Sequence, residues 1–598
     1  MKWTLDDSKL VYGVAQKDMK NLDITKDGKL ELVLHGKRIT FENIIKQFKE
    51  KTKYGDSSFA IRIPQLITSQ IRKLLASFKE AITKYDYKGI YYPIYPIKVN
   101  HSPFIIETII KSHSNYGFES GTKSEFILLL QVLKNEKHRL IMCNGAKDRE
   151  YIKSIRDAVE QGHNVCISIE SVQELKDTLE ILPRENYQLA FRIKPYVTLH
   201  GHWGASSSRH SKFGLSIDEL IEVIWYLNEE KANHLLTMLH SHPGSQITSL
   251  DDFVGFAEYM AKMFKLVYNY GMENLKIINF GGGLPIDYDN RLDEDFMEKY
   301  ADIFVSILSK ELVDYQPTIM TESGRAITSL CTIVVVKTID TYSVFSSGYR
   351  DKTFLVHFSD QTREFEEPKS AKDVLKNWKK WESKKRDFIA LAEMGDYEFV
   401  TYEFKKQLRE KFFTFDDYEK HLEDDWAKSL MKPDYTIQGN FSVFNSICDL
   451  VLVKQYFPVI PIEYMHLQPE SIVRLFDITC DSDGEVAVYN PPISDKKLQT
   501  KDHYQLTYQK PVTLGGFPVG NIKSLVDGYL AIPQTGAYQD IVEFDHNLLG
   551  DLPDLVIAID NDEWVIQLLN GAQTIGNILA DIGFECLDDD DPYYDFKE

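Results

Sequence analysis

Short β-branched runs alternate with amphipathic helical stretches between about residues 58 and 341, and no other feature of the chain constrains its fold as strongly. This alternation is the pattern of βα units around a parallel sheet. Eight units over roughly 280 residues fit a (β/α)8 barrel, whose usual length is roughly 250 residues. The predicted barrel strands are residues 89–95, 117–119, 139–143, 164–169, 188–193, 236–240, 277–280 and 318–321.

A doubly wound open sheet would also satisfy this alternation of strands and helices. Polar and glycine-rich clusters, however, follow strand after strand, for example at residues 240–246 and 279–285. A site assembled from many strand ends is typical of the (β/α)8 barrel, where the loops after the strands meet at one face. The sequence therefore favours an α/β fold with a closed barrel.

The length of 598 residues exceeds what one hydrophobic core supports, roughly 250 to 300 residues, so several domains are expected. Helical spacing of Lys, Glu, Trp and Phe dominates residues 369–385 and 402–430, whereas strand-like runs resume after Pro433. The predicted organisation is an N-terminal segment that partly joins the β domain (1–57), the barrel (58–345), a helical insertion (346–435), a C-terminal β domain (436–587) and an acidic tail (588–598).

Composition excludes several function classes. The net charge of −21 argues against a nucleic-acid partner, which would require a basic surface. No apolar run approaches the roughly 20 residues needed to cross a bilayer, and residues 1–7 lack the apolar core of a secretory signal. The six cysteines show no metal-ligand spacing. These features predict a cytoplasmic protein with reduced thiols.

Within residues 92–100 (YPIYPIKVN), Lys98 stands at the end of an apolar strand that is predicted to belong to the barrel. A lysine taken out of water loses its proton readily and can form a Schiff base with an aldehyde, so this position suits covalent catalysis. A lysine that extends from a strand end into solvent explains the same pattern. This segment alone leaves both interpretations open.

Two further clusters follow predicted barrel strands. The glycines 281–283 come directly after a strand, where bare backbone N–H groups can approach a phosphate closely. Glu322 and Arg325 follow the next strand, and a guanidinium can bind phosphate oxygens in a bidentate manner. An ordinary glycine turn and a structural ion pair are the alternatives.

His240, His242 and Ser245 lie together in residues 239–246 (LHSHPGSQ). This turn offers a planar ring, a small flexible segment and a hydroxyl donor. Zinc is an alternative ligand for two neighbouring histidines, but no third ligand follows at usable spacing.

Cys480 lies among carboxylates in the most polar turn of the predicted β domain, residues 478–484 (ITCDSDG). The charges of Asp481 and Asp483 favour the protonated thiol, so Cys480 suits proton donation better than nucleophilic attack. An aspartate-rich calcium loop is the alternative, although the spacing does not match that of an EF-hand.

In this order, these clusters resemble those of a known family. The chain resembles the fold-type III pyridoxal-phosphate-dependent decarboxylases, an alanine-racemase-like barrel group acting on ornithine, lysine, arginine and diaminopimelate, and within it the biosynthetic arginine decarboxylases. The combination, which runs from end to end, is far more specific than any one motif. It consists of residues 3–13 (WTLDDSKLVYG), 63–66 (IPQL), 95–100 (YPIKVN), 143–152 (CNGAKDREYI), 211–215 (SKFGL), 321–328 (TESGRAIT), 440–444 (NFSVF), 479–484 (TCDSDG), 536–539 (GAYQ) and 546–551 (HNLLGD).

The resemblance implies a role for each cluster. Lys98 would bind pyridoxal phosphate covalently, His242 would stack on its ring, and Glu322 would hydrogen-bond its ring nitrogen. Cys480 would donate a proton to the product. The phosphate would be held by Ser245, Gly281, Gly282, Gly283, Gly324, Arg325 and Tyr538, and the distal cation of the substrate by Asp481 or Asp483.

The activity implied by this resemblance is decarboxylation of L-arginine to agmatine and CO2, which feeds putrescine and spermidine biosynthesis. A protonated pyridinium ring would absorb the electron pair left at Cα. In families of this kind the cysteine and its aspartates come from a partner subunit, so a homodimer or larger homo-oligomer with shared sites is expected. Magnesium is associated with the family, although no residue here can be assigned to it.

Two other functions remain open at this point. A sister decarboxylase could act on diaminopimelate, carboxynorspermidine or lysine. The distal carboxylate of diaminopimelate would require an arginine near Cys480, and the nearest, Arg474, lies back in the preceding strand. A non-catalytic cofactor-binding regulator would be expected to lose Lys98, Cys480 or the phosphate ligands, and all are present. Pro243 and Pro285 differ from the residues expected in the family's loops, but neither replaces a residue that is predicted to bind the cofactor.

Overall fold

The computed structural model gives the fold of most of the chain. It describes residues 3–197, 211–343, 369–377, 379, 408, 418–421, 424, 433, 435–469, 471–489, 498–499, 505–506 and 515–584.

The N-terminal part contains helices α1 (Leu5–Tyr12) and α2 (Phe41–Lys51) around a small antiparallel sheet. The Thr4 side chain accepts a hydrogen bond from the backbone of Asp7, and the Asp7 carboxylate accepts one in return, so a capping box starts α1. The strands, in their order in the sheet, are β1 (Leu22–Ile24), β2 (Leu30–Leu34) and β3 (Lys37–Thr40). A further strand, β4 (Phe59–Arg62), belongs to a different sheet.

Eight parallel strands close into a barrel in which the last strand pairs with the first. They are short and mainly apolar, as expected for strands that are covered on both faces. The closed barrel confirms the predicted fold and excludes the open doubly wound sheet. In chain order the strands are β5 (Tyr91–Pro96), β6 (Gly117–Ser120), β7 (Ile141–Cys143), β8 (Val165–Ile169), β9 (Gln188–Arg192), β10 (Leu236–His240), β11 (Ile277–Asn279) and β12 (Thr318–Thr321).

Helices surround the barrel and alternate with its strands along the chain. Pro64 and Pro103 occupy the first turn of two of them, where a missing N–H costs nothing. The Thr122 side chain and the Glu125 carboxylate form a capping box at another. The helices are α3 (Pro64–Lys84), α4 (Pro103–Ser112), α5 (Lys123–Val132), α6 (Arg149–Glu160), α7 (Val172–Ile181), α8 (Ile217–Glu229), α9 (Leu250–Asn269) and α10 (Phe296–Glu311).

A separate apolar cluster fills the inside of the barrel. Its methionines have flexible, unbranched side chains that fill irregular space well. A barrel packed in this way leaves its end, rather than its interior, for binding. The buried members are Ile94, Leu140, Met142, Cys166, Ala190, Met238, Ile277 and Met320.

A ten-stranded sheet joins the barrel to the C-terminal part of the chain. β4 lies between a strand that follows the barrel and a strand near the C-terminus, so the chain enters and leaves the barrel through this sheet. The later strands are β13 (Thr332–Ser343), β14 (Tyr435–Gly439), β15 (Ile460–Pro461), β16 (Ser471–Phe476), β17 (Glu485–Val486), the separate pair β18 (Leu498–Gln499) and β19 (Gln505–Leu506), β20 (Phe517–Val519), β21 (Tyr529–Pro533), β22 (Asp554–Asp560) and β23 (Glu563–Asn570).

This sheet confirms the predicted C-terminal β domain, while the domain boundaries stay predictions. Short helices at Gly324–Thr328, Val443–Ser446, Asp449–Leu452 and Ile575–Asp581 accompany it. Most of the predicted helical insertion (346–435) and the whole acidic tail (588–598) lie outside the described residues. Within the part that is described, no helix has the length and apolar character needed to span a membrane.

Candidate active site

A cavity of about 540 Å³ lies where the barrel strands end. Most of its wall comes from residues that directly follow β5, β6, β7, β9, β10 and β12, which places it at the carboxyl-terminal end of the barrel, where this fold holds its sites. Residues from the C-terminal part complete the wall. The lining side chains of chemical interest are Lys98, Glu119, Asn144, Arg192, His242, Ser245, Arg325, Asp449 and Tyr538.

Lys98 lies in a single 3-10 turn, Ile97–Val99, directly after β5. Its Nζ donates to Glu119 Oε2 at 3.0 Å. The Lys98 side chain is 40% exposed and that of Glu119 only 1%, so the ammonium faces the cavity and the carboxylate lies behind it. Burial lowers the pKa of Lys98, but the charges of Glu119 and Glu322 outweigh burial and raise this pKa above its ordinary value.

The Glu322 carboxylate is held by side-chain amides beneath the cavity. Asn279 Nδ2 donates to Glu322 Oε1 at 2.9 Å, and Asn144 Nδ2 lies 3.3 and 3.4 Å from the two carboxylate oxygens. His240 Nε2 is 3.3 Å from Glu322 Oε1, and both side chains are fully buried. Glu322 is thus a fixed carboxylate whose direction is set by its neighbours.

The predicted glycine turn packs against His242. A Cβ on Gly281 would lie 2.7 Å from the His242 Cα, and one on Gly282 would lie 2.8 Å from His242 Nε2, so glycine alone allows this approach. Gly281 also has a φ of +63°, and its N–H donates to Asn279 Oδ1 at 2.9 Å. The turn therefore positions the His242 ring, while the phosphate contacts of Gly281, Gly282 and Gly283 stay a prediction.

The two loops with unexpected prolines are joined by hydrogen bonds. Gln246 Nε2 donates to the Ile286 carbonyl at 2.6 Å, and the Ile286 N–H donates to Gln246 Oε1 at 3.1 Å. Pro243 and Pro285 therefore lie in loops that hold each other in place.

Arg325, whose side chain is 5% exposed, contacts two other residues that are predicted to bind a phosphate, Ser245 and Tyr538. Its guanidinium lies 3.4 Å from Ser245 Oγ and 3.1 Å from Tyr288 Oη, and it stacks 4.7 Å above the Tyr538 ring. Asp449 Oδ2 is 3.8 Å away. The polar contacts of Glu322 and Arg325 that the structure describes go to different partners rather than to each other.

The last predicted phosphate ligand, Gly324, lies beside the turn Ile97–Val99 that carries Lys98. A Cβ at this position would lie 2.5 Å from Val99 Cγ2 and 2.8 Å from Pro96 Cγ, so a larger residue would displace that turn. The Tyr538 N–H donates to the Val99 carbonyl at 2.7 Å and ties the same turn to the C-terminal part.

The predicted proton donor lies outside the cavity wall, which includes no cysteine among the described residues. Cys480 is exposed, and its Sγ lies 3.4 Å from the donor Asn547 Nδ2. Asp481 Oδ2 is 3.9 Å from His546 Nε2, and Asp483 Oδ1 is 3.9 Å from Lys454 Nζ. The Cys480 turn therefore contacts Asn547, His546 and Lys454, and none of its residues lines the cavity of its own chain.

Sequence reasoning missed several groups at this site. Glu119, Asn144 and Asn279 stand at or just after the ends of predicted barrel strands, and a polar residue at such a position was a usable signal. Asp449 offered no local signal, because it reaches Arg325 from a short helix far along the chain. The missed residues are Glu119, Asn144, Arg192, Asn279, Tyr288 and Asp449, while His240 was considered only as an alternative zinc ligand.

These residues fit pyridoxal phosphate. The cavity offers an amine, a ring that can stack, a buried carboxylate and a guanidinium beside a hydroxyl. Two buried atoms, Glu119 Oε1 and Asn144 Oδ1, have no hydrogen-bond partner in the described part of the chain. Such atoms are costly unless a ligand or water meets them, so they are consistent with a polar ligand in this cavity.

A family model for the pyridoxal binding domain of the pyridoxal-dependent decarboxylases matches residues 68–329. The match covers the barrel, including the strand ends that carry Lys98, His242 and Arg325.

Relatives and solved structures extend the similarity beyond the barrel. The chain is 26% identical to a biosynthetic arginine decarboxylase of Bacteroides thetaiotaomicron, over 97% of this chain and 92% of that protein. It is 29% identical to one of Prochlorococcus marinus, over 94% and 88%. The crystal structure of the biosynthetic arginine decarboxylase from Campylobacter jejuni has the same fold, with a TM-score of 0.74 at 24% identity over 97% of this chain and 91% of that one.

Proposed function

We infer that this chain is a pyridoxal-dependent decarboxylase that removes CO2 from L-arginine to form agmatine and so feeds putrescine and spermidine synthesis. The observation that carries this proposal is the single cavity that brings together Lys98, His242 and Arg325. Glu322 lies directly beneath it. Full-length relatives named biosynthetic arginine decarboxylase support the choice of substrate.

The cavity residues would hold the cofactor by three kinds of contact. Lys98 would bind it covalently through its amine, Arg325 and Ser245 would bind its phosphate, and Glu322 would accept a hydrogen bond from its ring nitrogen. When bound, the cofactor supplies an electron sink for the pair that departing CO2 leaves at Cα. Burial lowers the pKa of His242, so its neutral ring can stack there without adding a positive charge.

Glu119 is suited to move a proton at Lys98. The lysine amine must be neutral to attack a carbonyl carbon, yet its pKa is raised in the resting cavity. Burial raises the pKa of Glu119, which already accepts the Lys98 hydrogen bond. A carboxylate of raised proton affinity at this distance is a suitable acceptor for the Lys98 proton.

We propose that the site is completed by a second copy of the chain. Asp481 or Asp483 of that copy would bind the guanidinium of arginine, because carboxylates pair with it in a bidentate manner. Cys480 would protonate Cα. The exposure of Cys480 outside the cavity wall of its own chain supports this arrangement.

The test of the function is a comparison of substrates. Purified protein with pyridoxal phosphate is incubated separately with arginine, ornithine, lysine and diaminopimelate, and the amine formed is identified by mass spectrometry. We expect agmatine from arginine and no comparable product from the others. Lysine formed from diaminopimelate, or cadaverine from lysine, as the main product would instead establish a sister decarboxylase.

Replacement of Cys480 by alanine should slow turnover by about 100-fold or more without loss of cofactor, because general acid catalysis typically contributes roughly 100- to 10,000-fold. Protonation at the wrong atom should then yield an aldehyde by-product, which chromatography after trapping with a hydrazine detects. Wild-type turnover without by-product would remove Cys480 from the mechanism.

Mixed subunits test where the Cys480 turn acts. Lys98→Ala and Cys480→Ala chains are coexpressed with different tags, and the hybrid dimer is purified. If the turn serves the partner's cavity, each hybrid has one intact site of two, and activity returns to about half of the wild-type value. If it serves its own cavity, the hybrid stays as inactive as the two parents.

Two further expectations concern the cellular location of the enzyme and its need for magnesium. We propose that the enzyme works in the cytoplasm, where reducing conditions keep a thiol such as Cys480 reduced. Magnesium stays a prediction from the resemblance. No group of three or more His, Cys, Asp or Glu side chains suited to a metal ion occurs among the described residues, and we propose no site for it.

A further inference from the structure

His240 is a buried histidine to which the mechanism above gives no task. It is the last residue of β10 and lies beneath the cavity, whereas His242 lines it. Its Nδ1 is 3.0 Å from Ser168 Oγ, and its Nε2 is 3.3 Å from Glu322 Oε1. Nε2 makes no hydrogen bond of good geometry in the described part of the chain. A polar atom buried in this way requires an explanation.

We propose that His240 is a positioning residue: a neutral imidazole with its proton on Nε2 that fixes the Glu322 carboxylate for its contact with the cofactor ring. The inference rests on the proposed function, because it concerns the same site. It adds a residue that touches neither substrate nor cofactor and acts through Glu322.

The surroundings determine the charge of His240. Burial, reinforced by the positive charge of Arg192, lowers the pKa of its imidazole well below the ordinary value, and Glu170 opposes this only in part. The ring is therefore neutral at physiological pH. The charged groups that face it are Glu170, Glu322, Arg192, Lys98 and Lys147.

The position of the proton follows from the two neighbours. A neutral imidazole has one N–H and one lone pair. A lone pair on Nε2 would face the Glu322 carboxylate, and two buried acceptors at 3.3 Å would be unfavourable. The proton therefore lies on Nε2, and Nδ1 accepts a hydrogen bond from the Ser168 hydroxyl.

This tautomer places a third N–H 3.3 Å from Glu322 Oε1, beside the amides of Asn144 and Asn279 that already donate to this carboxylate. Donors to a carboxylate favour its charged form and restrict its rotation. Without the His240 donor, the Glu322 carboxylate would be held less firmly and would pair less well with a protonated ring nitrogen. The fraction of bound cofactor that carries this ring proton should then fall.

The test compares His240→Leu with His240→Gln, because the glutamine amide nitrogen can take the place of Nε2 and donate to Glu322. A hydrogen bond to a charged group corresponds to about 10- to 100-fold in an equilibrium or rate. We expect the leucine variant to bind pyridoxal phosphate at least about 10-fold more weakly in fluorescence titration of the apoenzyme. Its visible spectrum should change with pH where that of the wild type does not, and kcat should fall more than KM changes. The glutamine variant should recover most of each loss.

Two further variants separate positioning from packing. His163 is a buried histidine, 5% exposed, in the loop before β8 and away from the cavity, and His163→Leu should leave cofactor affinity and spectrum unchanged. Ser168→Ala removes only the hydroxyl that fixes the tautomer and should shift the spectrum in the same direction as His240→Leu, by a smaller amount. It also provides the test if His240→Leu fails to fold, as judged by circular dichroism of the apoenzyme.

Wild-type affinity and spectrum in a folded His240→Leu, or equal losses in His240→Leu and His240→Gln, would overturn the proposal. The latter outcome would mean that the ring is needed for its shape alone. A wild-type protein that does not bind pyridoxal phosphate at all would instead remove the proposed function on which this inference rests.

Discussion

Lys98→Ala should lower kcat by at least about 1,000-fold, which corresponds to about 4 kcal/mol of lost transition-state stabilisation. The variant loses the amine that holds the cofactor covalently, while Arg325, Ser245 and Glu322 keep their contacts. Pyridoxal phosphate should therefore still bind, but dialysis should remove it, and the visible absorbance of the covalently held form should be absent. Absorbance spectra before and after dialysis, with agmatine production, measure both effects.

Two controls separate covalent binding from charge. Lys98→Arg keeps a cation beside Glu119 but cannot bond to the cofactor, so it should be as inactive as the alanine variant. Lys123→Ala removes an exposed lysine next to Thr122, which lines the same cavity, and should leave turnover unchanged. Substantial turnover in Lys98→Arg would show that positive charge alone suffices and would refute the covalent role.

The barrel could be predicted because each of its strands is a short apolar run followed by polar or glycine-rich residues. The predicted strands 236–240 and 318–321 have the same bounds as β10 and β12. The C-terminal sheet was less accurately predicted: among the strand-like runs expected after Pro433, the run 486–489 overlaps a regular strand only at Val486, the last residue of β17 (Glu485–Val486). Its strands pair with remote partners, and side-chain packing across such pairs, rather than local pattern, decides where a strand ends.

Some residues of the site could likewise be predicted from local sequence, whereas others could not. Lys98, His242 and Arg325 follow barrel strands, so local sequence and the family resemblance were sufficient to find them. Asp449 reaches Arg325 only through the tertiary fold. The burial that makes His240 neutral depends on how the barrel end is covered, and the sequence does not show it.

Arg62 should have the largest effect on stability, because it neutralises carboxylates at the junction between the barrel and the C-terminal part. Its Nη1 and Nη2 donate to Asp540 at 2.6 and 3.2 Å, and its Nε donates to Asp554 at 2.8 Å. Asn100, two residues after Lys98, also donates to Asp540 at 2.8 Å. Loss of Arg62 should therefore also disturb the turn that carries Lys98, because Asn100 and Arg62 share Asp540 as a partner.

The carboxylates around Arg62 already outnumber the positive charge. Glu543 and Asp551 line a cavity of about 240 Å³ together with Arg62, Asp540 and Asp554. Burial, with the charges of Asp551 and Asp540, raises the pKa of Glu543 to about 8. This raised pKa indicates that a further negative charge is unfavourable in this cavity even when Arg62 is present.

Arg62→Met should lower the free energy of unfolding by about 3 kcal/mol at pH 8, because removing one partner leaves buried carboxylates without compensation. The charge of Arg62 lowers the pKa values of Glu543 and Asp551, which burial raises, so in the variant both pKa values should rise further above those of the unfolded chain and the folded state should bind more protons than in wild type. Its stability then falls as pH rises through this range, and the deficit relative to wild type should be smaller at pH 5 than at pH 8. Urea denaturation at the two pH values measures both the size and the pH dependence.

Arg149→Met is the matched control for this prediction. Arg149 also pairs with two carboxylates, Asp177 and Glu180, each at 2.6 Å, but its side chain is 47% exposed. Surface pairs of this kind contribute at most about 1 kcal/mol, so its loss should be small. Equal and small losses in the two variants would mean that water compensates the carboxylates at Arg62 as well, and that the Arg62 ion pairs do not stabilise the junction beside Lys98.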